Sequence, residues 1–282
     1  MVSMGDFNKL QNTWCPACGN FGIWTAVKKA LIKLNLGPDD VLFVYGIGCH
    51  GHMSDFLKTY SFEGLHGRAL PVAAAAKMVN KDLPVVVSAG DGDCLGEGGN
   101  HFLHACRANQ DITLLIHDNQ TYGLTTGQTS PTSLKGYKTK STPGGVIEVP
   151  ANPLLLALSA GATFVARGFS QDLLGLSELM VKAMQHRGFS VLNIYQPCVT
   201  FNKLNTYDWF KERVVKIDDS HNTADKFSAI KLAMQTDKLA IGVLYEEKRP
   251  SYEDELPQLE GTPIVKRPAA ARDISAELKS LQ

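Results

Sequence analysis

Short runs of β-branched and other apolar residues, at 41–45, 85–88, 112–117, 163–166 and 191–195, alternate along this chain with stretches whose apolar residues recur at helical spacing, at 23–34, 72–79, 98–108, 153–159 and 173–186. Most of the short runs are unbroken in their apolarity, the pattern of strands covered on both faces. Strands separated by helices return in the same direction each time, so the series predicts an α/β fold with a mainly parallel sheet flanked by helices. All such strands end on one rim, and ligands of open α/β sheets bind at that rim.

At 282 residues the chain can bury a large core, yet it stands near the size at which single cores divide. Beyond residue 205 the pattern weakens to one helix at 224–234, a strand at 239–244 and a charged, proline-containing tail. The reading is a ligand-binding domain over 1–205 and a C-terminal extension over 206–282 that docks on a partner. Basic and acidic residues balance at 28 each, leaving no electrostatic footprint for nucleic acid or an anionic membrane. The first fourteen residues lack the basic start and apolar run of a secretory signal, and no stretch approaches roughly eighteen unbroken apolar residues. A cytoplasmic protein with small molecules and proteins as ligands is expected. Six cysteines are too sparse for a disulfide scaffold, which frees thiols in a reducing compartment to bind metal.

Two residues with hard oxygen ligands fall on the expected rim. Asp91, within Gly90-Asp91-Gly92, follows the run at 85–88, and Asn119 follows the run at 112–117. Gly90 and Gly92 let the backbone approach a phosphate closely, while Gly98 and Gly99 open the next helix, whose free N–H groups favour an anion. A carboxylate and a carboxamide suit Mg²⁺ on a diphosphate, with the Thr121 carbonyl as a third ligand. Alone, Gly-Asp-Gly is as well read as a turn and Asn119 as a loop cap. The spacing between them and the following Tyr122-Gly123-Leu124-Thr125 resemble the thiamine-diphosphate motif, in which Asp118 here stands for the first of two asparagines. The Gly-, Thr-, Ser- and Pro-rich segment 121–150 is long enough to cover a ligand.

Cys15 and Cys18 form a C-x-x-C pair; Cys49 follows the run at 41–45 and Cys198 follows the run at 191–195, on the same rim as Asp91 and Asn119. Four thiolates suit either zinc or an iron–sulfur cluster, and composition does not choose between them. A redox cluster gains from lying beside the diphosphate, whereas a structural zinc does not. Cys94 and Cys106 read as packing residues.

Taken in order, Trp14-Cys15-Pro16-Ala17-Cys18-Gly19, Gly46-Ile47-Gly48-Cys49, His66-Gly67-Arg68, Gly90-Asp91-Gly92-Asp93, Gly98-Gly99-Asn100-His101, the stretch 119–128 and Pro197-Cys198-Val199-Thr200 make the chain resemble the β subunit of 2-oxoacid:ferredoxin oxidoreductases over roughly residues 12–205. The resemblance implies a thiamin diphosphate-binding fold of the diphosphate-binding type. It implies one 4Fe-4S cluster on Cys15, Cys18, Cys49 and Cys198, and Mg²⁺ and thiamine diphosphate on Asp91, Asn119 and the Thr121 carbonyl. The cofactor-binding set is expected to comprise Gly48, Cys49, His66, Gly90, Asp91, Gly92, Asp93, Asn119, Thr121, Gly123, Leu124 and Thr125. His66 and Arg68 are expected to face the diphosphate or the substrate carboxylate as catalytic residues.

The implied reaction is the reversible oxidative decarboxylation of a 2-oxoacid, 2-oxoglutarate or pyruvate, with coenzyme A to an acyl-CoA and CO₂, electrons passing through the cluster to ferredoxin. One βαβ series has room for only the diphosphate half of such a site, so an α subunit is expected to supply the pyrimidine-binding glutamate, in a heterodimer or a dimer of heterodimers. The chain departs from the usual family pattern at Ala17, at Asn20 and at His50-Gly51-His52. Two readings compete: a non-oxidative thiamine-diphosphate decarboxylase subunit with structural zinc, and an electron-transfer or scaffold subunit without its own active site.

Overall fold

A computed structural model describes residues 2–268 and 273–281; the extreme ends of the two expected ranges, at Met1 and Gln282, lie outside the described residues. The expected strands form as β1 (Leu42–Tyr45), β3 (Val85–Gly90), β4 (Thr113–Asp118), β5 (Phe164–Phe169), β6 (Ser190–Tyr195) and β8 (Leu239–Glu246). β3 to β6 are buried along their whole length, which is why their residues are apolar in unbroken runs. Two strands arise where no run is visible: β2 (Tyr60–Glu63) and β7 (Val214–Lys216), at the two edges of the sheet and largely exposed.

The sheet runs in the order β2-β1-β3-β4-β6-β5-β8-β7. β1 to β6 are mutually parallel, and β8 turns against β5, antiparallel, with β7 beside it. The stretch after residue 205 is therefore no simple docking tail. Leu239, Ala240, Ile241 and Leu244 of β8 are buried and complete the same sheet.

The helices are α1 (Asn20–Lys33), α2 (Met53–Phe56), α3 (Ala69–Val79), α4 (Gly99–Ala108), α5 (Pro153–Ala160), α6 (Leu173–Gln185), α7 (Tyr207–Lys211), α8 (Lys226–Ala233) and α9 (Ser275–Ser280). One face of the sheet packs α3, α4, α5 and α8 against Val44, Val87, Leu114, Ile116 and Val191. The other packs α1 and α6 against Phe43, Tyr45, Leu115, Leu192 and Ile194. Neighbours along one strand thus serve opposite layers. Helix ends follow local chemistry: the Asn152 side chain accepts the N–H groups of Leu154 and Leu155 to start α5 at Pro153, and Gly161 at φ 96° stops it. Among the described residues no helix is long and apolar enough to cross a membrane.

Candidate active site

The carboxyl ends of the neighbouring strands β1, β3, β4 and β6 deliver Gly46 to Cys49, Asp91, Asn119 and Gln196 to Cys198 to one rim. A cavity there is lined by Ile47, Gly48, Cys49, His50, His66, Gly90, Asp91, Gly92, Asp93, Asn119 and the segment from Thr121 to Thr125. Every residue expected at the cofactor, from Gly48 to Thr125, lies on this lining. The loop that supplies Thr121 to Thr125 closes on itself through Tyr122 and Gln128, whose backbones pair.

On the oxygen side, Asp91 is 1% exposed and its Oδ2 accepts from Ser130 Oγ and Thr132 Oγ1, both at 2.5 Å. Burial first, and then the neighbouring Asp118, push its pKa up, and among the described residues no cation forms an ion pair with it. A buried carboxylate of this kind is short of positive charge. Asn119 Oδ1 accepts the Thr121 N–H at 3.0 Å and its Nδ2 donates to Gln196 Oε1 at 3.1 Å, which fixes the carboxamide. A Cβ on Gly92 would stand 2.4 Å from the Tyr122 ring, so the turn after Asp91 needs glycine. His50 is buried; its Nε2 accepts the Gly90 N–H at 3.0 Å, and burial lowers its pKa to about 3, so the ring is neutral.

His66 and Arg68 part company although only Gly67 separates them. His66 lines the cavity, with Nδ1 2.7 Å from Asp93 Oδ1. Arg68 is absent from the lining, and its Nη1 donates to the carbonyls of Gly67 at 3.2 Å and Glu97 at 2.8 Å. The turn between them bends at Gly67, φ 71°. Asp93 touches the cavity, but its Oδ1 also accepts the N–H groups of Gly67 at 2.7 Å and Ile47 at 3.2 Å, so it ties three loops together.

On the sulfur side, all four cysteines are free thiols. The Cys15 to Gly19 turn is tied to the end of β6 by Gly19 N–H to Pro197 O at 3.2 Å, to Cys49 by Trp14 Nε1 to Cys49 O at 2.6 Å, and to α7 by Tyr207 OH to Ala17 O at 3.1 Å. Burial raises the Cys18 pKa to about 12, with further upward pushes from Cys198, Cys49 and Cys15. Cys49 is raised to about 11 by burial and by Cys198 and Cys15. Four thiols that repel one another's charge form a set that a metal cluster would neutralise. Among the described residues no three His, Cys, Asp or Glu side chains close to single-ion spacing. Cys94 and Cys106 are buried in the core with Phe102 and Ala105, as packing residues.

The halves meet at Gly123 and Gln196. A Cβ on Gly123 would lie 3.5 Å from Cys49 Sγ and 3.6 Å from Cys198 Sγ, and Gln196 Nε2 donates to Cys18 Sγ at 3.5 Å while its Oε1 serves Asn119. Sequence reasoning missed Gln196, Ser130, Thr132 and the Asp93 clamp. Ser130-Pro131-Thr132, hydroxyls inside a segment already expected to cover a ligand, was the available signal.

Residues 46–194 match the family model of the thiamine pyrophosphate enzyme C-terminal TPP binding domain, and residues 198–261 match that of the C terminal of the pyruvate ferredoxin oxidoreductase beta subunit. The chain is 41% identical to a Sulfolobus 2-oxoacid:ferredoxin oxidoreductase subunit beta, over 90% of this chain and 88% of that one. It is 43% identical to the Mycobacterium tuberculosis 2-oxoglutarate oxidoreductase subunit KorB, over 75% and 58%. Its fold superposes with a TM-score of 0.92, at 36% identity and covering 100% of this chain and 96% of the other, on a chain of the Magnetococcus marinus 2-oxoglutarate:ferredoxin oxidoreductase, solved with 2-oxoglutarate, coenzyme A and succinyl-CoA bound.

Proposed function

This chain belongs to the β subunits of the 2-oxoacid:ferredoxin oxidoreductases, thiamine-diphosphate enzymes, and on that premise we propose that it runs the oxidative decarboxylation of 2-oxoglutarate with coenzyme A, giving succinyl-CoA and CO₂. Ferredoxin takes up the two electrons. Membership in this family sets aside the non-oxidative decarboxylase and the scaffold readings. The choice of 2-oxoglutarate over pyruvate rests on the ligands of the Magnetococcus marinus enzyme.

The residues fit the groups the reaction needs. Asp91, Asn119 and the Thr121 carbonyl would hold Mg²⁺ and through it the diphosphate, since among the described residues the buried Asp91 has no cation partner. Cys15, Cys18, Cys49 and Cys198 would hold a 4Fe-4S cluster. When bound, thiamine diphosphate supplies a nucleophilic carbon and an electron sink for the carbon–carbon cleavage, and the cluster supplies a one-electron acceptor. The chain's own part is to hold and shield: Gly90 and Gly92 let His50 and Tyr122 pack tightly behind the cavity floor, Tyr122 and Leu124 line the space the diphosphate would fill, and His66 faces it. The single observation that carries this reading is Gly123, which lines the cavity while the space beside it is bounded by the sulfurs of Cys49 and Cys198.

From the pyrimidine side the site is completed by an α subunit. The test is co-expression with that subunit and assay of the assembled enzyme with a panel of 2-oxoacids, coenzyme A and a viologen acceptor, alongside iron, sulfide and zinc analysis. The expected result is coenzyme A-dependent viologen reduction, fastest with 2-oxoglutarate, with about four irons and four sulfides per β chain. Stoichiometric zinc without iron, or decarboxylation that needs no acceptor, would overturn it.

A further inference from the structure

Among the described residues lining the cavity there is no lysine or arginine, while Asp91 and Asp93 are both present. Anionic reactants entering this half of the site therefore meet a lining whose one source of positive charge is histidine. His50 is not available for that role: its Nε2 accepts the Gly90 N–H, a part only a neutral ring can play. His66 remains.

The two nitrogens of His66 are in different situations. Nδ1 lies 2.7 Å from Asp93 Oδ1 and 3.5 Å from Glu97 Oε2, both carboxylates, so Nδ1 carries a proton. Nε2 has no protein partner among the described residues, and the side chain is 37% exposed on the cavity wall. Asp93 is 3% exposed and pinned by the N–H groups of Ile47 and Gly67, so it cannot follow the ring; it fixes the ring instead. Glu97 is held in turn by the Tyr122 hydroxyl at 3.2 Å from both carboxylate oxygens.

We infer that Asp93 and Glu97 are positioning residues that hold His66 through Nδ1–H and aim Nε2 at the bound reactants, where the doubly protonated ring donates Nε2–H to one of their anionic oxygens. That oxygen belongs either to the 2-oxoacid carboxylate or to the diphosphate. The inference rests on the functional reading above and assigns Asp93 to His66 rather than to the cofactor. A merely structural Asp93 would staple the loops at Ile47 and Gly67, and replacing His66 leaves both of those bonds intact.

The experiment uses the assembled enzyme with His66→Ala, His66→Gln, Asp93→Asn and Glu97→Gln. It measures KM and kcat for 2-oxoglutarate, and the Kd of thiamine diphosphate with Mg²⁺ on cofactor-free enzyme by calorimetry. His66→Ala is expected to raise one of the two constants by roughly tenfold or more, the loss expected of a charge-assisted hydrogen bond. A rise in KM identifies the substrate carboxylate, and a rise in Kd identifies the diphosphate. His66→Gln, whose side-chain amide donates from near the position of Nε2, recovers most of that loss, and Asp93→Asn and Glu97→Gln move the same constant in the same direction by less. Both constants within twofold of wild type in His66→Ala, or His66→Gln no better than His66→Ala, would overturn the inference. Wild-type turnover tests the functional reading separately: were it absent, that reading fails, and the diphosphate Kd still decides whether His66 holds the diphosphate.

Discussion

The oxygen half and the sulfur half of the rim are divided by one glycine, yet they are finished to different degrees. In the oxygen half both side-chain ligand candidates are already oriented: Asp91 by Ser130 and Thr132, and Asn119 by Thr121 and Gln196. In the sulfur half the backbones are tied down but the sulfurs are not. Cys15 is exposed, and the Cys18 sulfur has only weak N–H contacts, from the Asn20 backbone and from Gln196 at 3.5 Å. Raised thiol pKa values keep Cys18 and Cys49 protonated at neutral pH, so loading metal must expel protons. The oxygen half is preorganised by the chain's own hydrogen bonds, whereas in the sulfur half the thiols themselves remain free.

The harshest way to break this contrast is Cys198→Ser. If the four cysteines share one cluster, removing one that leaves β6 beside Gly123 should lower ferredoxin-linked turnover by at least roughly a hundredfold. Thiamine diphosphate affinity should stay within a fewfold, because no oxygen ligand is disturbed. Iron and sulfide analysis with calorimetry on the same preparation checks both. A parallel collapse of diphosphate binding would show that the halves do not form independently.

Asp91→Asn should break the other half. A buried carboxylate that burial and Asp118 both push toward protonation is costly in the absence of metal. The substitution should weaken Mg²⁺-dependent diphosphate binding by roughly tenfold to a hundredfold, the scale expected for loss of a charged ligand. It should also raise the Tm of the cofactor-free enzyme by about 2–4 °C, the scale of 1 kcal/mol in a chain of this size. Differential scanning calorimetry with and without Mg²⁺ reads both signs. Loss of stability without metal would mean that Asp91 is already compensated within the chain.

How much of this was legible in the sequence follows from the same contrast. β3 to β6 announce themselves because both faces are buried, and Asp91, Asn119 and Cys198 are legible because each stands just beyond such a strand, as Cys49 does beyond the mostly buried β1. β2 and β7 are edge strands with largely exposed residues, so they leave no apolar run to find, and the role of β8 in the sheet depends on pairing with β5, distant in sequence. Ser130, Thr132 and Gln196 were hidden for another reason. They act through single side-chain hydrogen bonds across loops, and such bonds impose no period. His66 and Arg68, equal as neighbours in a motif, are separated only by the positive φ of Gly67, a backbone fact no composition reveals.

Gln196 is where the comparison can be sharpened, since it is 1% exposed and serves both halves. Gln196→Leu keeps the volume and removes its three side-chain hydrogen bonds, to Asn119, to Cys18 and to the Pro197 carbonyl. Thiamine diphosphate affinity should fall by about threefold to tenfold, the worth of one neutral hydrogen bond. The cluster's midpoint potential should fall as well, because an N–H donor to a cluster sulfur favours the reduced, more negative state. Potentiometric titration followed by electron paramagnetic resonance measures it. An unchanged potential with weakened diphosphate binding would confine Gln196 to the oxygen half.

The smallest effect, on pH, distinguishes a half that waits for metal from one that does not. Cys49 and Cys18 hold their protons more tightly in the folded chain, with pKa values of about 11 and about 12, than in the unfolded one, near the ordinary 9.0. Above the ordinary thiol value the unfolded chain loses these protons first, so the cluster-free protein is favoured fully below pH 9 and loses stability as pH rises from 9 toward 11. Both sulfurs are partly open to solvent, which trims the effect to a drop of about 3–6 °C in Tm between about pH 8 and about pH 10.5. Tyrosines and lysines titrate in the same window, so the readout is the difference between wild type and a Cys18→Ala, Cys49→Ala double variant, both cluster-free. Once iron has displaced the protons, these two thiols have none left to lose, and their share of the slope should vanish in the loaded enzyme. A slope that survived loading would mean that Cys18 and Cys49 are not the sulfurs the cluster uses.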